Sequence, residues 1–221
     1  MVFLCRTHVK VSMKKIICSL LLMAAMVSCT QQAETPTAKT DDAEVVEKVM
    51  MSRRSIRQYT DKRISRDTLN RILECGINAP NGQNRQAYEI RVVDNPELLA
   101  EITAAVVNDN KDNAPKNGAK NIFANATCVV FIANDTTYDV SQVDCGLLGE
   151  NIILAAWARG IGSCCMAHPV RLMKDSKSCA PYIEKLGFSK DYNLLYCIAM
   201  GYPDETPGAK PRKTDKIRFI D

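Results

Sequence analysis

Between Ser141 and Arg159 the chain carries Leu147, Leu148, Ile152, Ile153, Ala155, Ala156 and its single tryptophan, Trp157. A helix this apolar persists in water only if other elements cover it on nearly every face. Gly160 follows, suited to the left-handed position that ends a helix. The covering elements must include sheet, because two continuous apolar runs, Thr127 to Ala133 and Leu194 to Met200, read as buried strands. Around them the periodicity predicts helices over Ala43 to Met51, Ser65 to Asn78 (Ser65 as cap), Asn95 to Val107 (entered through Pro96) and Val170 to Glu184. Ala87 to Val93 and Ile161 to Met166 read as further strands. Asn108 to Lys120 is a polar loop long enough to be a lid or flap, and Pro203, Pro207 and Pro211 make the tail from Gly201 extended. Helices and strands intermix without a regular strand-helix-strand repeat, which predicts an α+β domain. With 221 residues, 46% of them hydrophobic, one core suffices.

The first segment reads as an address. Met13, Lys14 and Lys15 precede a dozen mostly apolar residues, Ile16 to Val27, then Ser28 and Cys29. That is the layout of a secretory signal, and it is too short to span a bilayer comfortably. Met26-Val27-Ser28-Cys29 resembles a bacterial lipobox, with Met26 where leucine is usual. The expectation is a signal peptide over 1–28 with initiation at Met13, lipidation of Cys29, a flexible linker over 29–42 and a folded domain over 43–221. Such a protein sits in the bacterial cell envelope, held to a membrane by its lipid. The polar, Thr- and Ala-rich linker cannot bury enough apolar surface to order itself.

The leader also explains the net charge of +4: it holds Arg6, Lys10, Lys14 and Lys15 and no acid. The remaining 25 basic residues balance the 25 acidic ones, so there is no nucleic-acid footprint. Of ten cysteines, Cys5 and Cys18 leave with the leader and Cys29 goes to lipid. The seven others are odd in number, lie mostly in apolar runs and form no Cys-x-x-Cys pair, and His168 is the domain's only histidine. This speaks against both a disulfide framework and a zinc site.

The familiar catalytic signatures are absent: there is no Gly-x-Ser-x-Gly elbow, no dinucleotide fingerprint after a strand and no Walker loop. A cysteine nucleophile near His168 lacks an orienting third group. What remains suits the holding of an anionic, planar ligand. Arg53, Arg54 and Arg57 flank Ser55, and guanidinium forks take phosphate bidentately. Lys210, Arg212 and Lys213 form a second basic group in the tail, and the loop Pro80 to Gln86 is dense in amides that can meet a flavin or purine edge. Each of these is by itself also an ordinary solvated patch or turn.

Taken in order, Arg53-Arg54-Ser55-Ile56-Arg57, Ala79-Pro80-Asn81-Gly82-Gln83-Asn84-Arg85-Gln86, Arg159-Gly160-Ile161-Gly162-Ser163-Cys164 and Gly201-Tyr202-Pro203 followed by Lys210-Pro211-Arg212 resemble the nitroreductase family of FMN-dependent oxidoreductases. The likeness spans about 43 to 213. It implies a three-layer fold with a central mixed or antiparallel sheet wrapped by helices. It implies FMN as cofactor, NAD(P)H as donor and a small electron-poor acceptor, such as a nitro compound or quinone. By position, Arg53, Arg54, Ser55 and Arg57 would hold the FMN phosphate, ribityl and ring edge. Asn81, Gly82 and Asn84 would reach the flavin from the other subunit of a homodimer. Cys165 to Ala167 would run along the ring, and Lys210 and Arg212 would close on the phosphate. No side chain is assigned a catalytic role and no metal is expected. The chain departs from the pattern at Ala87-Tyr88 and at Ala167-His168, which bears on substrate choice. An envelope lipoprotein meets little NAD(P)H, so a flavin- or ligand-binding lipoprotein that keeps the fold without turnover is the competing expectation.

Overall fold

The computed structural model describes residues 39–116 and 118–220. The leader, Cys29 and most of the linker lie outside the described residues. Six α-helices and four strands follow in the order α1 (Lys39–Ser52), α2 (Arg66–Ile77), β1 (Tyr88–Val93), α3 (Pro96–Asp109), β2 (Cys128–Asp135), α4 (Ser141–Trp157), β3 (Gly162–Met166), α5 (His168–Asp175), α6 (Ala180–Leu186) and β4 (Tyr192–Gly201). The strands form one antiparallel sheet in the order β1-β2-β4-β3, so the two most apolar runs are its centre. Strand alternation sends Cys128, Val130 and Ile132 to one face and Val129 and Phe131 to the other. The first face packs on α2 and α4 through Ile72, Leu148 and Ile152, the second on α3 and α5 through Leu99, Ile102 and Met173. The result is the three-layer α+β arrangement that the pattern implies, with a wholly antiparallel sheet.

Three elements differ from expectation. α1 runs back to Lys39 rather than starting at Ala43. The helix expected over 170–184 is broken. Ser176 is extended (φ −93°, ψ 120°), its Oγ accepts from the Cys179 N–H, and Pro181 in the first turn of α6 starts a new helix. Both Ser176 and Ser178 also bond the Asp109 carboxylate at the end of α3, which fixes the break in place. Finally, α4 is not covered all round. Ser141, Asp144, Cys145, Leu148, Ile152 and Ala156 are buried, but Val143 and Leu147 stay 62% and 41% exposed, because the sheet and α2 cover only one side. No described helix is long and apolar enough to cross a membrane.

Candidate cofactor site

β3 is an edge strand, and what lies along its open side defines the site. Residues 53–60 leave the end of α1 without joining the sheet. Their backbone is nevertheless tied down: Ser55 bridges Ser163 in parallel, the Ile56 N–H donates to the Ser163 carbonyl at 2.9 Å, and Tyr59 bridges Pro203. The Thr60 N–H donates to the Tyr202 carbonyl at 3.0 Å and the Asp204 N–H to that of Gln58 at 2.9 Å. Ile56 and Tyr59 point inward, and the Tyr59 hydroxyl donates to the Ile56 and Ala199 carbonyls at 2.5 and 3.2 Å. Burial above all pushes that phenol well up from its ordinary value. Gly162 is required here, since a Cβ would meet Ile56 at 2.8 Å and Pro203 at 2.9 Å. With Ile56 and Tyr59 inward, Arg57 and Gln58 between them are exposed.

Because Ser163 spends its carbonyl on Ile56, strand periodicity turns the peptide groups of Cys165, two residues on, to the same open edge. Ala167 then serves as N-cap of α5 without any side-chain capping bond. Beside this edge is a cavity of about 720 Å³, bounded among others by Arg57, Tyr59, Lys116, Met166, His168 and Glu205. That volume is in the range of pockets for drug-sized ligands. Ser163 Oγ, 1% exposed, has no hydrogen-bond partner at the point where the Ser55 segment joins β3. Desolvation chiefly pushes the Cys164 and Cys165 thiols up, which opposes thiolate formation. All seven described cysteines are free.

The arginines divide. Arg57 faces the large cavity, with its backbone N–H on the Glu205 carboxylate. Arg53 lies close enough to bear on the Cys164 thiol. Arg54 folds back, its Nη1 donating to the carbonyls of Met51 and Arg53 at 2.8 and 2.7 Å. It lines a second cavity of about 420 Å³ with Trp157 and Pro203. The start of the tail, Pro203 to Glu205, thus meets the arginine segment. Lys210 and Arg212 do not: both are exposed, and the bonds of Arg212 run to the carbonyls of Lys210 and Pro211.

The amide loop sits elsewhere. Its Gly82–Asn84 turn holds Gln83, Asn84 and, just after, Gln86 at φ 56°, 53° and 51°. Asn81 Oδ1 accepts from the Gln86 N–H at 2.9 Å and Asp144 Oδ1 from the Gly82 N–H at 3.0 Å. The arginine segment is anchored near the other end of α4, where Trp157 Nε1 donates to Ser52 Oγ at 2.8 Å. The thirteen helical steps from Asp144 to Trp157 put about 20 Å between the anchors at 1.5 Å per residue. Among the described residues no hydrogen bond joins the loop to the arginine segment.

Glu205 and Asp144 escape a reading of the sequence alone. Glu205 carries no local signal. Asp144 is detectable in principle, as an acid on the same helical stripe as Cys145, Leu148 and Ile152.

Comparison with known proteins settles the family. The pattern of the nitroreductase family matches residues 50–202, which takes in the arginine segment, the amide loop and all four strands. The chain belongs to the nitroreductase family. Among its relatives, a protein of Archaeoglobus fulgidus provisionally named NADH dehydrogenase/NAD(P)H nitroreductase is 28% identical over 163 residues, covering 72% of this chain and 85% of that protein. The FMN reductase (NADPH) of Bacillus subtilis is 25% identical over 177 residues, covering 74% and 68%. A nitroreductase of Desulfitobacterium hafniense, crystallised with bound FMN, superimposes with a TM-score of 0.70 at 27% identity, covering 80% of this chain and 98% of that one. Nitroreductase membership accounts for the order of motifs and for the sheet.

Proposed function

We propose that two copies of this nitroreductase together hold FMN along the open edge of β3 and pass hydride from NAD(P)H to small electron-poor acceptors such as nitro compounds or quinones. What supports this most directly is the coincidence, on one edge, of the Cys165 peptide groups turned away from β4, a cavity of about 720 Å³ and the Arg57 side chain. The chain is an FMN-dependent oxidoreductase with NAD(P)H as its donor. Flavin, when bound, supplies the hydride chemistry, and the protein supplies position and charge.

Arg57, on the cavity wall, and Arg53, near the Cys164 thiol, fit a phosphate dianion, with Ser55 adding a neutral bond. Arg54 is turned to the smaller cavity and contributes less. Ala167 opens α5 with uncapped N–H groups, so the positive end of that helix favours negative charge on a ring lying along Cys165 to Ala167. His168 is exposed on the cavity wall, beside the space an acceptor would occupy.

The second copy is argued from geometry. The exposed strip Val143 and Leu147 on α4 needs a cover, as do Met50, Met51, Phe219 and Ile220. A two-fold pairing of α4 with its own copy, run antiparallel, brings the Asp144 end of one helix to the Trp157 end of the other. Asn81, Gly82 and Asn84 of one protomer then approach the arginine segment of its partner, across the 20 Å or so that separates the two within one chain. Lys210 and Arg212, exposed in the single chain, close on the phosphate once it is bound. The leader and Cys29 make the protein lipid-anchored in the bacterial envelope; mass spectrometry of the mature N-terminus tests this, and an unacylated, uncleaved chain contradicts it.

The central test is spectroscopic. The purified full chain is expected to be yellow and to lose its visible flavin band within seconds of anaerobic mixing with NADH or NADPH. A chain that refuses FMN contradicts the cofactor site, and an FMN-bound chain whose band persists contradicts turnover.

A further inference from the structure

The amide loop is held in an unfavourable shape by one buried acid. Left-handed φ at Gln83, Asn84 and Gln86 is sparsely populated for residues with a side chain, and three such residues within four positions do not persist unless the surroundings impose them. Among the described residues, two side chains accept hydrogen bonds from its backbone. Asn81 ties the loop to itself through the Gln86 N–H. Asp144, 4% exposed, ties it to the body of the protein through the Gly82 N–H. The opposite side of Gly82 is closed by Tyr138, whose Oη would lie 2.1 Å from a Cβ there, and the Arg85 guanidinium covers the Tyr138 ring at 4.4 Å. Gly82 is therefore wedged between a carboxylate and a phenol, and the exposed tip from Gln83 to Gln86 has one way to point.

The choice of an acid is costly for stability alone. Asp144 Oδ2 is buried with no partner, and a buried carboxylate with one neutral donor is dear compared with an apolar residue. Its place in the first turn of α4 offsets part of that, since the helix N-terminus favours negative charge. A group kept at such expense is explained by what it holds.

We propose that Asp144 is a positioning residue of the active site. It fixes the Gly82 N–H, and through it the left-handed turn, so that the amide side chains of one protomer meet the FMN held by its partner. This rests on the flavin-binding function proposed above.

The experiment is an FMN titration of the full-length apoprotein, reading the dissociation constant, the shape of the visible flavin band and the far-ultraviolet circular dichroism. Asp144→Ala is expected to weaken FMN by about tenfold or more, the loss of one charge-assisted hydrogen bond, and to return the band toward that of free FMN with the secondary structure unchanged. Asp144→Asn keeps an acceptor oxygen for Gly82 and is expected to stay within about threefold of the wild type. Gly82→Ala puts a Cβ against the Tyr138 hydroxyl, so that either the turn or the phenol must shift while Asp144 stays intact. It is expected to reproduce the defect and serves in place of Asp144→Ala if that variant does not fold. Folded Asp144→Ala or Gly82→Ala protein that binds FMN with wild-type affinity and band shape overturns the assignment, as does an Asn variant as impaired as the Ala variant. A wild-type chain that takes up no FMN overturns the flavin function itself and the assignment with it, so the two failures are told apart.

Discussion

The arginine segment and the amide loop are both irregular stretches, yet they are built in opposite ways. Residues 53–60 are held by main-chain bonds to Ser163, Tyr202 and Asp204, and only Ile56 and Tyr59 are sunk into the core. Residues 81–86 have turn bonds of their own, such as the Arg85 N–H to the Gly82 carbonyl at 3.0 Å. Their hydrogen bond to the body of the protein, however, runs through the Asp144 side chain, with Asn81 closing the loop on itself, and they carry left-handed φ at Gln83, Asn84 and Gln86. A segment laced by its backbone can change its outward side chains without moving. A loop fixed by two side chains cannot lose either and stay put. The first should therefore tolerate substitution structurally and report it only in ligand affinity, while the second should lose affinity through shape.

The largest expected effect breaks the lacing itself. Gly162→Val would drive its Cβ into Ile56 and Pro203, packed groups with nowhere to go, and is expected to cost about 3 kcal/mol, read as a drop in the denaturant midpoint, and to release FMN. Next come outward changes on the same segment. Arg57→Ala should leave the unfolding midpoint within about 0.5 kcal/mol of the wild type. It should still weaken FMN by about ten- to a hundredfold, because a charge-assisted bond is worth about 1.5 to 3 kcal/mol. Arg54→Ala, whose guanidinium already spends its donors on Met51 and Arg53, should weaken FMN less; an equal loss would place Arg54 on the phosphate. The smallest effect is a control remote from both regions. Hydrogen bonds from Ser178 and Ser176 hold the Asp109 carboxylate down at about 2 in the folded chain. A depressed carboxylate stabilises the fold above its unfolded value, near 3.9, and the contribution is lost as pH falls toward 2. Melting curves of the wild type and Asp109→Asn should therefore differ at pH 6, converge by pH 2 and show no change in FMN affinity.

How much of this was visible in the sequence follows the same division. β2 and β4 announce themselves as continuous apolar runs, because the central strands of a three-layer fold have no polar side to show, whereas the apolar richness of α4 overstates its burial. The arginine and amide clusters are legible as unusual compositions, and their order carries the likeness to the nitroreductase family. Long-range capping is not: the break at Ser176 depends on Asp109, far away in the chain. Nor does composition reveal that Val143 and Leu147 face outward, since an apolar residue that covers a core and one that lies exposed have the same side chain. The tail illustrates the remaining gap. Its prolines correctly mark it as extended, but nothing local says that Glu205 rather than Lys210 or Arg212 meets Arg57.

The account stands or falls on each site drawing its arginines from one protomer and its amide loop from the other, and subunit complementation measures this. Arg57→Ala and Gly82→Ala chains, each deficient in FMN alone, are co-expressed with different tags and the mixed dimer is isolated. A site shared between protomers yields one undamaged site in every mixed dimer, and hence FMN bound with wild-type affinity at one per dimer. A site contained within one protomer leaves every site damaged, and a mixed dimer with no tightly bound FMN would contradict the account.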